Sequence, residues 1–397
     1  MSTPATSLAV SDEEALDLVC QLMAIRGRGG EERGVMDFVA AKLTEAGADP
    51  NPLRFDNANE LSSLGGGVGN AVMQLDGDAS LGPRRMLMAH TDTVPVCLGS
   101  KPTIEGNLVR SGDPATGLGA DDRSGTAVLL TTAMALLRSG APHPPITFLW
   151  TVQEEGGLNG VRHVDVGMLG EPELSFNFDG GDPAKLLVGA TGGYRMWVNV
   201  HGCPSHAGIA PEKGVSAAAI AAFAVTDLVE KGWHGLVEKG DQRGTCNIGI
   251  VEAGVATNVV AEHARLHIEA RSHDPAFRTQ IVAAIEAAFL RALDKVVSSE
   301  GRRGTVSFDG GACYESFKLP EDNLSLVTLE GTLRSMGQEP RRAISNGGLD
   351  ANWITSHGIP TITLGTGQHD IHTVDETLNI EEYQLSRQVA WRLATGT

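Results

Sequence analysis

Met86-Leu87-Met88-Ala89-His90-Thr91-Asp92-Thr93-Val94-Pro95 begins as a short apolar run and ends in two side chains able to serve a metal. The run Met86 to Ala89 has no polar face, which predicts a strand covered on both sides, as in a mostly parallel sheet flanked by helices. In such sheets ligands gather where strands end. His90 and Asp92 are two apart, so in extended chain they point the same way, one able to bind a metal and the other to orient it. Alone the pair would also suit a surface or capping role, so the rest of the chain decides.

The pattern recurs. Ile146 to Val152 reads as a second buried strand and delivers Gln153-Glu154-Glu155-Gly156-Gly157; Leu174 to Phe178 reads as a third and delivers Asp179. A strand from Pro360 to Leu364 leads into Gln368-His369-Asp370-Ile371-His372. Between the first two, Gly117-Leu118-Gly119-Ala120-Asp121-Asp122 precedes an apolar-rich helix from about Ser124 to Leu137. A single Asp there would need no more than the helix N-terminus to explain it.

Around this core, Ser11-Asp12-Glu13-Glu14 forms a capping box that opens a helix, and a second helix runs from about Glu31 to Gly47. Leu64 to Asn70 is glycine-rich but ends in Asn70 with no helix pattern after it, so it reads as a turn before the strand Ala71 to Leu75 and not as a dinucleotide fingerprint. Ile104 to Ser111 alternates like one strand. From about Ala190 the order becomes β-α-β-β-α-β, a split βαβ sandwich with its own sheet. The expected architecture is an α/β, doubly wound, mostly parallel catalytic domain in two parts, 1–189 and 317–397, interrupted by a smaller α+β domain at 190–316.

The 397 residues are too many for one typical core and agree with two domains. A balance of 31 basic against 49 acidic residues, or −18, argues against nucleic-acid and anionic-membrane partners. The five scattered cysteines suggest neither a disulfide framework nor a thiolate zinc knot. Met1 to Ser7 lacks a basic stretch followed by an apolar one, and no later window resembles a membrane span. A soluble, cytoplasmic protein is expected.

Collected from separate strand ends, His90, Asp121, Glu154, Glu155, Asp179 and His372 are imidazoles and carboxylates without thiolates. That set suits two catalytic divalent ions, zinc first, with cobalt or manganese sharing the ligand chemistry. Two ions about 3.5 to 4 Å apart need a bridging carboxylate plus one imidazole and one carboxylate each. Asp121 would bridge, His90 and Asp179 would complete one site, and Glu155 and His372 the other. Glu154, its side chain directed away from that of Glu155 on extended backbone, would be the general base, and Asp92 would accept a hydrogen bond from His90.

These residues carry a family resemblance. His90-Thr91-Asp92, Gly119-Ala120-Asp121-Asp122-Arg123-Ser124-Gly125, Glu154-Glu155-Gly156, Asp179, Ser205-His206-Ala207-Gly208, and His372 followed by Glu376 resemble, in order, the motifs of the M20 family of co-catalytic zinc peptidases, nearest to its peptidase T-like branch. The resemblance implies a lid that also mediates homodimerisation, a short peptide as substrate, and removal of N-terminal residues as in a tripeptide aminopeptidase. It further implies that His206 reaches the partner subunit's active site, that Asn258 and Arg271 hold the substrate's backbone and carboxylate, and that Glu376 orients His372. Arg123 stands where many members have Lys. His369 is a rival ligand to His372.

Two other readings keep most of these residues. An M20-type carboxypeptidase or N-acyl-amino-acid deacylase would use the same metals and base with a different pocket. A metal-dependent peptide binder would have the site without the chemistry. No Gly-x-Ser-x-Gly occurs, and no cysteine is flanked by a nucleophile signature.

Overall fold

The computed structural model describes residues 9–397; the leader reading of Met1 to Ser7 lies outside the described residues. The chain divides into two compact units. One ends at Gly189 and resumes at Lys318–Ser345 and Leu349–Thr397; the other comprises Ala190–Phe317 with Asn346–Gly348.

The first unit is built on a nine-stranded sheet. Its centre is four parallel strands in the order Ile146–Thr151, Arg85–His90, Leu174–Phe178 and Thr361–Leu364. Every residue of these four strands is buried. Successive side chains of a strand point to opposite faces, so burial of all of them means that both faces are covered, as the unbroken apolar runs require. Ala71–Leu75 joins antiparallel beside Ile146–Thr151. The long helix Ala120–Ser139 packs along the His90 strand, and Asp12–Ala24 and Ile380–Thr395 pack on that helix. Leu324–Ser335 packs on the strands Leu174–Phe178 and Thr361–Leu364. Each large side chain sealed in this way, such as Phe148, Phe176 or Leu22, contributes roughly 1.5–3 kcal/mol.

Two local expectations change. Ser11 caps the first helix by accepting from Glu14 N–H at 3.1 Å, but the Glu14 carboxylate turns to Arg138, meeting both terminal nitrogens at 2.8 and 2.9 Å. The segment expected as one strand over Ile104 to Ser111 is a hairpin, Pro102–Glu105 and Leu108–Ser111, reversed at Gly106 with φ 63°. Alternation continued across the turn and hid it. The hairpin belongs to a four-stranded sheet with Thr377–Asn379 and Gln368–His369, which anchors both ends of the loop carrying His372.

The second unit has a five-stranded antiparallel sheet in the order Gly235–Lys239, Gln242–Ala253, His263–Ser272, Gly192–His201 and Thr305–Tyr314. The helices Ala217–Glu230 and Pro275–Leu293 pack on its strands and on each other. The other four strands and the two helices have the split βαβ order, and Gly235–Lys239 adds an edge strand to the expected β-α-β-β-α-β. Only Val237 of that strand is buried, so its sequence carried little strand pattern. Among the described residues no helix is long and apolar enough to cross a membrane, and all five cysteines are unpaired.

Candidate metal centre

His90 is the last residue of its strand, and its ring is fixed from both sides. Nε2 lies 3.0 Å from Asp121 Oδ1, and Nδ1 lies 3.2 Å from the Asp92 carbonyl oxygen and 3.5 Å from Asp92 Oδ1. The buried Asp92 carboxylate has closer partners than the histidine. Its Oδ1 accepts from Glu154 N–H at 2.9 Å and its Oδ2 from Glu155 N–H at 3.1 Å. Asp92 thus ties the His90 strand end to the turn bearing both glutamates.

Those glutamates do not sit on extended backbone, as the spacing suggested. The chain leaves its strand after Thr151, Gln153 adopts φ 57°, and a turn follows in which Gly157 and Leu158 donate to the Glu154 carbonyl. Glu155 Oε1 meets His372 Nε2 at 2.9 Å, and the same nitrogen lies 3.2 Å from Asp121 Oδ2. His90, Asp121 and Glu155 present ligand atoms all within 4.8 Å of one another, as do His90, Asp122 and Asp179.

Asp121 and Asp122 precede the regular part of the long helix; both have non-helical backbone, and the peptide between them is cis. Their carboxylates are used differently. Asp121 offers one oxygen to each histidine. Asp122 accepts from Gly125 N–H at 2.9 Å and Gln368 Nε2 at 2.7 Å through Oδ1, and from His90 N–H at 3.2 Å through Oδ2. With three donors already in place, Asp122 braces the site and has little lone-pair capacity left for an ion. Gly125 must lack a side chain, because a Cβ there would lie 2.1 Å from the Phe178 carbonyl oxygen.

Glu376 departs from its expected role of orienting His372. It is buried and accepts from Leu118 N–H at 2.9 Å and Gly119 N–H at 2.7 Å through Oε2, and from Asp121 N–H at 3.0 Å through Oε1. Its object is the Asp121 backbone. His369, the rival ligand, pairs with Glu382 at 2.5 Å, and His372 reaches the cluster from a backbone at φ 65°.

The charges lack compensation. Burial pushes the Glu154 and Asp122 carboxyls well above the carboxylate range. Burial and then the Asp121 charge push Asp179 up to about 7, and burial takes Asp350 to about 6. Burial opposes ionisation of Asp121 too, but His372 and His90 hold it below its usual value. Hydrogen bonds donated to Asp121 and Glu155 raise His372 to about 10. So many oxygen donors between the buried His90 imidazole and the half-exposed His372 imidazole make a fitting nest for divalent cations.

Sequence reasoning gave no role to Asp350, whose carboxylate takes the Thr151 hydroxyl and keeps Oδ1 buried without a partner. The only signal was its position after Gly347-Gly348. Of the remaining candidates, His206, Asn258 and Arg271 lie in the second unit. His206 forms an antiparallel bridge with Val259, and Ala207 N–H donates to the Asn258 carbonyl, so His206 and Asn258 share one exposed corner. Arg271 Nε is 2.6 Å from Glu269 Oε1, and Arg195 Nε is 2.8 Å from Glu269 Oε2. Two guanidiniums around one carboxylate leave a positive excess.

Comparison with known proteins follows the same division. Residues 188–296 match the M20 peptidase dimerisation domain. Residues 70–181, which carry His90, Asp121, Glu154, Glu155 and Asp179, match the peptidase family M28. The solved structure of a tripeptidase from Staphylococcus aureus is 28% identical, with a TM-score of 0.85 over 97% of this chain and 98% of that one. An aminopeptidase PepT from Bacillus cereus is also 28% identical, with a TM-score of 0.83 over the same shares. The chain is similar to these peptidases along nearly its whole length. It is also 29% identical to carboxypeptidase G2 of Pseudomonas sp., across 92% of this chain and 85% of that protein.

Proposed function

We propose that the chain is a dinuclear metal-dependent aminopeptidase that releases N-terminal residues from short peptides. The observation that carries this reading is the Asp121 carboxylate, with Oδ1 at 3.0 Å from His90 and Oδ2 at 3.2 Å from His372. A carboxylate that shares its two oxygens between two imidazoles is arranged as a bridge. His90 and Asp179 would hold one ion, and Glu155 and His372 the other. Two such ions would polarise the scissile carbonyl and acidify a water between them. Zinc is the proposed metal, with cobalt and manganese compatible with the same donors.

The chain's own groups supply the proton transfers. Glu154 takes a proton from the attacking water and passes it to the leaving amine. Its environment raises its proton affinity, which suits a group that must hold that proton between the two steps. Asp92 fixes the backbone from which Glu154 projects. In the second unit, His206 is proposed to polarise the carbonyl across a homodimer formed through this unit, and Asn258 to hold the peptide backbone. The Arg195, Glu269 and Arg271 group would receive a substrate carboxylate through its excess positive charge. A reducing, cytoplasmic setting is proposed, consistent with the unpaired thiols.

The similarity to carboxypeptidase G2 favours a second reading, in which the same centre acts on blocked or acylated substrates. Amine release from a free tripeptide and from its N-acetylated form, with metal-loaded and chelated protein in parallel, separates the two. Chelator-sensitive cleavage of the free peptide alone is expected. Cleavage of the blocked peptide alone would replace the aminopeptidase reading with the second.

A further inference from the structure

Gln153, with φ 57°, occupies a region that a residue with a Cβ adopts when its surroundings hold it there. Its Oε1 accepts from the Ser62 hydroxyl at 2.5 Å, and its Nε2 donates to the Gly65 carbonyl. Its backbone N–H is taken by Glu32 Oε1 at 3.0 Å, and the same oxygen accepts from Gly30 N–H at 2.8 Å. Glu32 is fully buried and lies 121 residues away in the chain from the amide it holds. It stands at the N-cap of the helix Arg33–Glu45, but its side chain makes no capping hydrogen bond there. Its other oxygen, Oε2, is buried with no partner.

Sealing a carboxylate from water is costly, so its contacts within the fold must offset that cost. Here one oxygen grips two amides, and one of them opens the turn that carries Glu154 and Glu155. Asp92 grips the next two amides. Three consecutive N–H groups, from Gln153 to Glu155, are therefore held by two buried carboxylates, both under the influence of the buried Arg123 guanidinium.

We propose that Glu32 is a positioning residue of the centre. By holding the Gln153 amide it fixes the turn so that Glu155 meets His372. The inference rests on the metallopeptidase reading above. Without that anchor the Gln153 peptide could rotate, and rotation there redirects both carboxylates that follow.

Glu32→Leu keeps the volume and removes the acceptor, whereas Glu32→Gln keeps one oxygen for both amides. Each is read by calorimetric titration of chelator-treated protein with Mn²⁺ and by tripeptide kinetics at saturating Mn²⁺. Glu32→Leu is expected to weaken binding of at least one ion about tenfold and to lower kcat about 10- to 100-fold, with KM changed less than about threefold. Glu32→Gln is expected to recover most of both losses. If circular dichroism shows the Leu variant unfolded, Glu32→Asp, which withdraws the carboxylate by one methylene, takes its place with the same expected losses. A folded Leu or Asp variant with wild-type Mn²⁺ binding and kcat would overturn the proposal, and so would a Gln variant as impaired as Leu. If the wild type binds Mn²⁺ but cleaves no peptide, the proposed function fails while the Mn²⁺ titrations still judge Glu32.

Discussion

Glu376 and Asp121 are joined through the backbone: the Glu376 carboxylate accepts the Asp121 N–H at 3.0 Å while its other oxygen holds Leu118 and Gly119. The residue that offers an oxygen to each histidine is therefore set from a loop more than two hundred positions later. Glu376→Ala would leave three buried amides unpaired and free Asp121 to shift. Divalent-metal affinity, measured by competition with a chelator, is expected to fall about 10- to 100-fold, as for other groups that orient ligands. An unchanged affinity would mean that Asp121 is held by its histidines alone.

Glu154→Gln should separate the base from the ligands. Metal analysis is expected to find two ions still bound, because Glu155 and His372 keep their contact, while kcat falls by about 10²- to 10⁴-fold. A variant that retains near-normal rate would remove Glu154 from the proton transfer.

His206→Ala is expected to lower kcat with both ions retained. Mixed with the Glu154→Gln variant, it should regain part of the activity, since a mixed dimer would hold one site with an intact base and an intact partner histidine. Failure to complement, with mixed dimers verified, would place the His206 role within its own chain or dismiss it.

The pH dependence of the metal-free protein follows from the crowded acids. Asp179, raised to about 7, and Asp350, raised to about 6, bind protons more tightly folded than unfolded. Stability is therefore lost as pH climbs from the ordinary carboxylate range to those values. His372, raised to about 10, contributes stability that is complete below the ordinary histidine range and fades as pH rises towards 10. Both trends have the same sign. Thermal scans of chelated protein are expected to show Tm falling by several degrees between pH 5 and pH 8, roughly what a loss of a few kcal/mol produces. Metal-loaded protein should lack most of that fall, so the gap between the two should widen with pH. Parallel curves would mean that the ions do not bind among these acids.

Gly125→Ala tests the close packing beneath the centre. A Cβ would lie 2.1 Å from the Phe178 carbonyl oxygen and 2.5 Å from Asp122 Oδ1. Urea denaturation is expected to show a loss of about 2 kcal/mol or more, a size seen where overpacking strikes backbone.

The parallel core was legible because burial on both faces leaves an unbroken apolar run, and His90, Glu154, Glu155 and Asp179 stood out as candidates because they are the first ionisable residues after such runs. The hairpin at Gly106 and the edge strand Gly235–Lys239 were not, since one keeps its alternation through the turn and the other buries a single side chain. The carboxylates that act on backbone amides were hidden for a different reason. Glu32 and Glu376 grip N–H groups that every residue possesses, and no local spacing marks such a pairing. Glu376 was noticed but given to the wrong partner, a histidine four residues away, when its partners lie in residues 118 to 121.

Because one carboxylate serves both histidines, the two halves of the centre cannot be independent. If two ions bind as proposed, each takes part of the charge on the carboxylate that its neighbour needs, and the effect is mutual by reciprocity of binding free energies. Loading of two ions should therefore be coupled, with the second ion bound at an affinity different from the first, and Asp121 is the residue through which that difference is set.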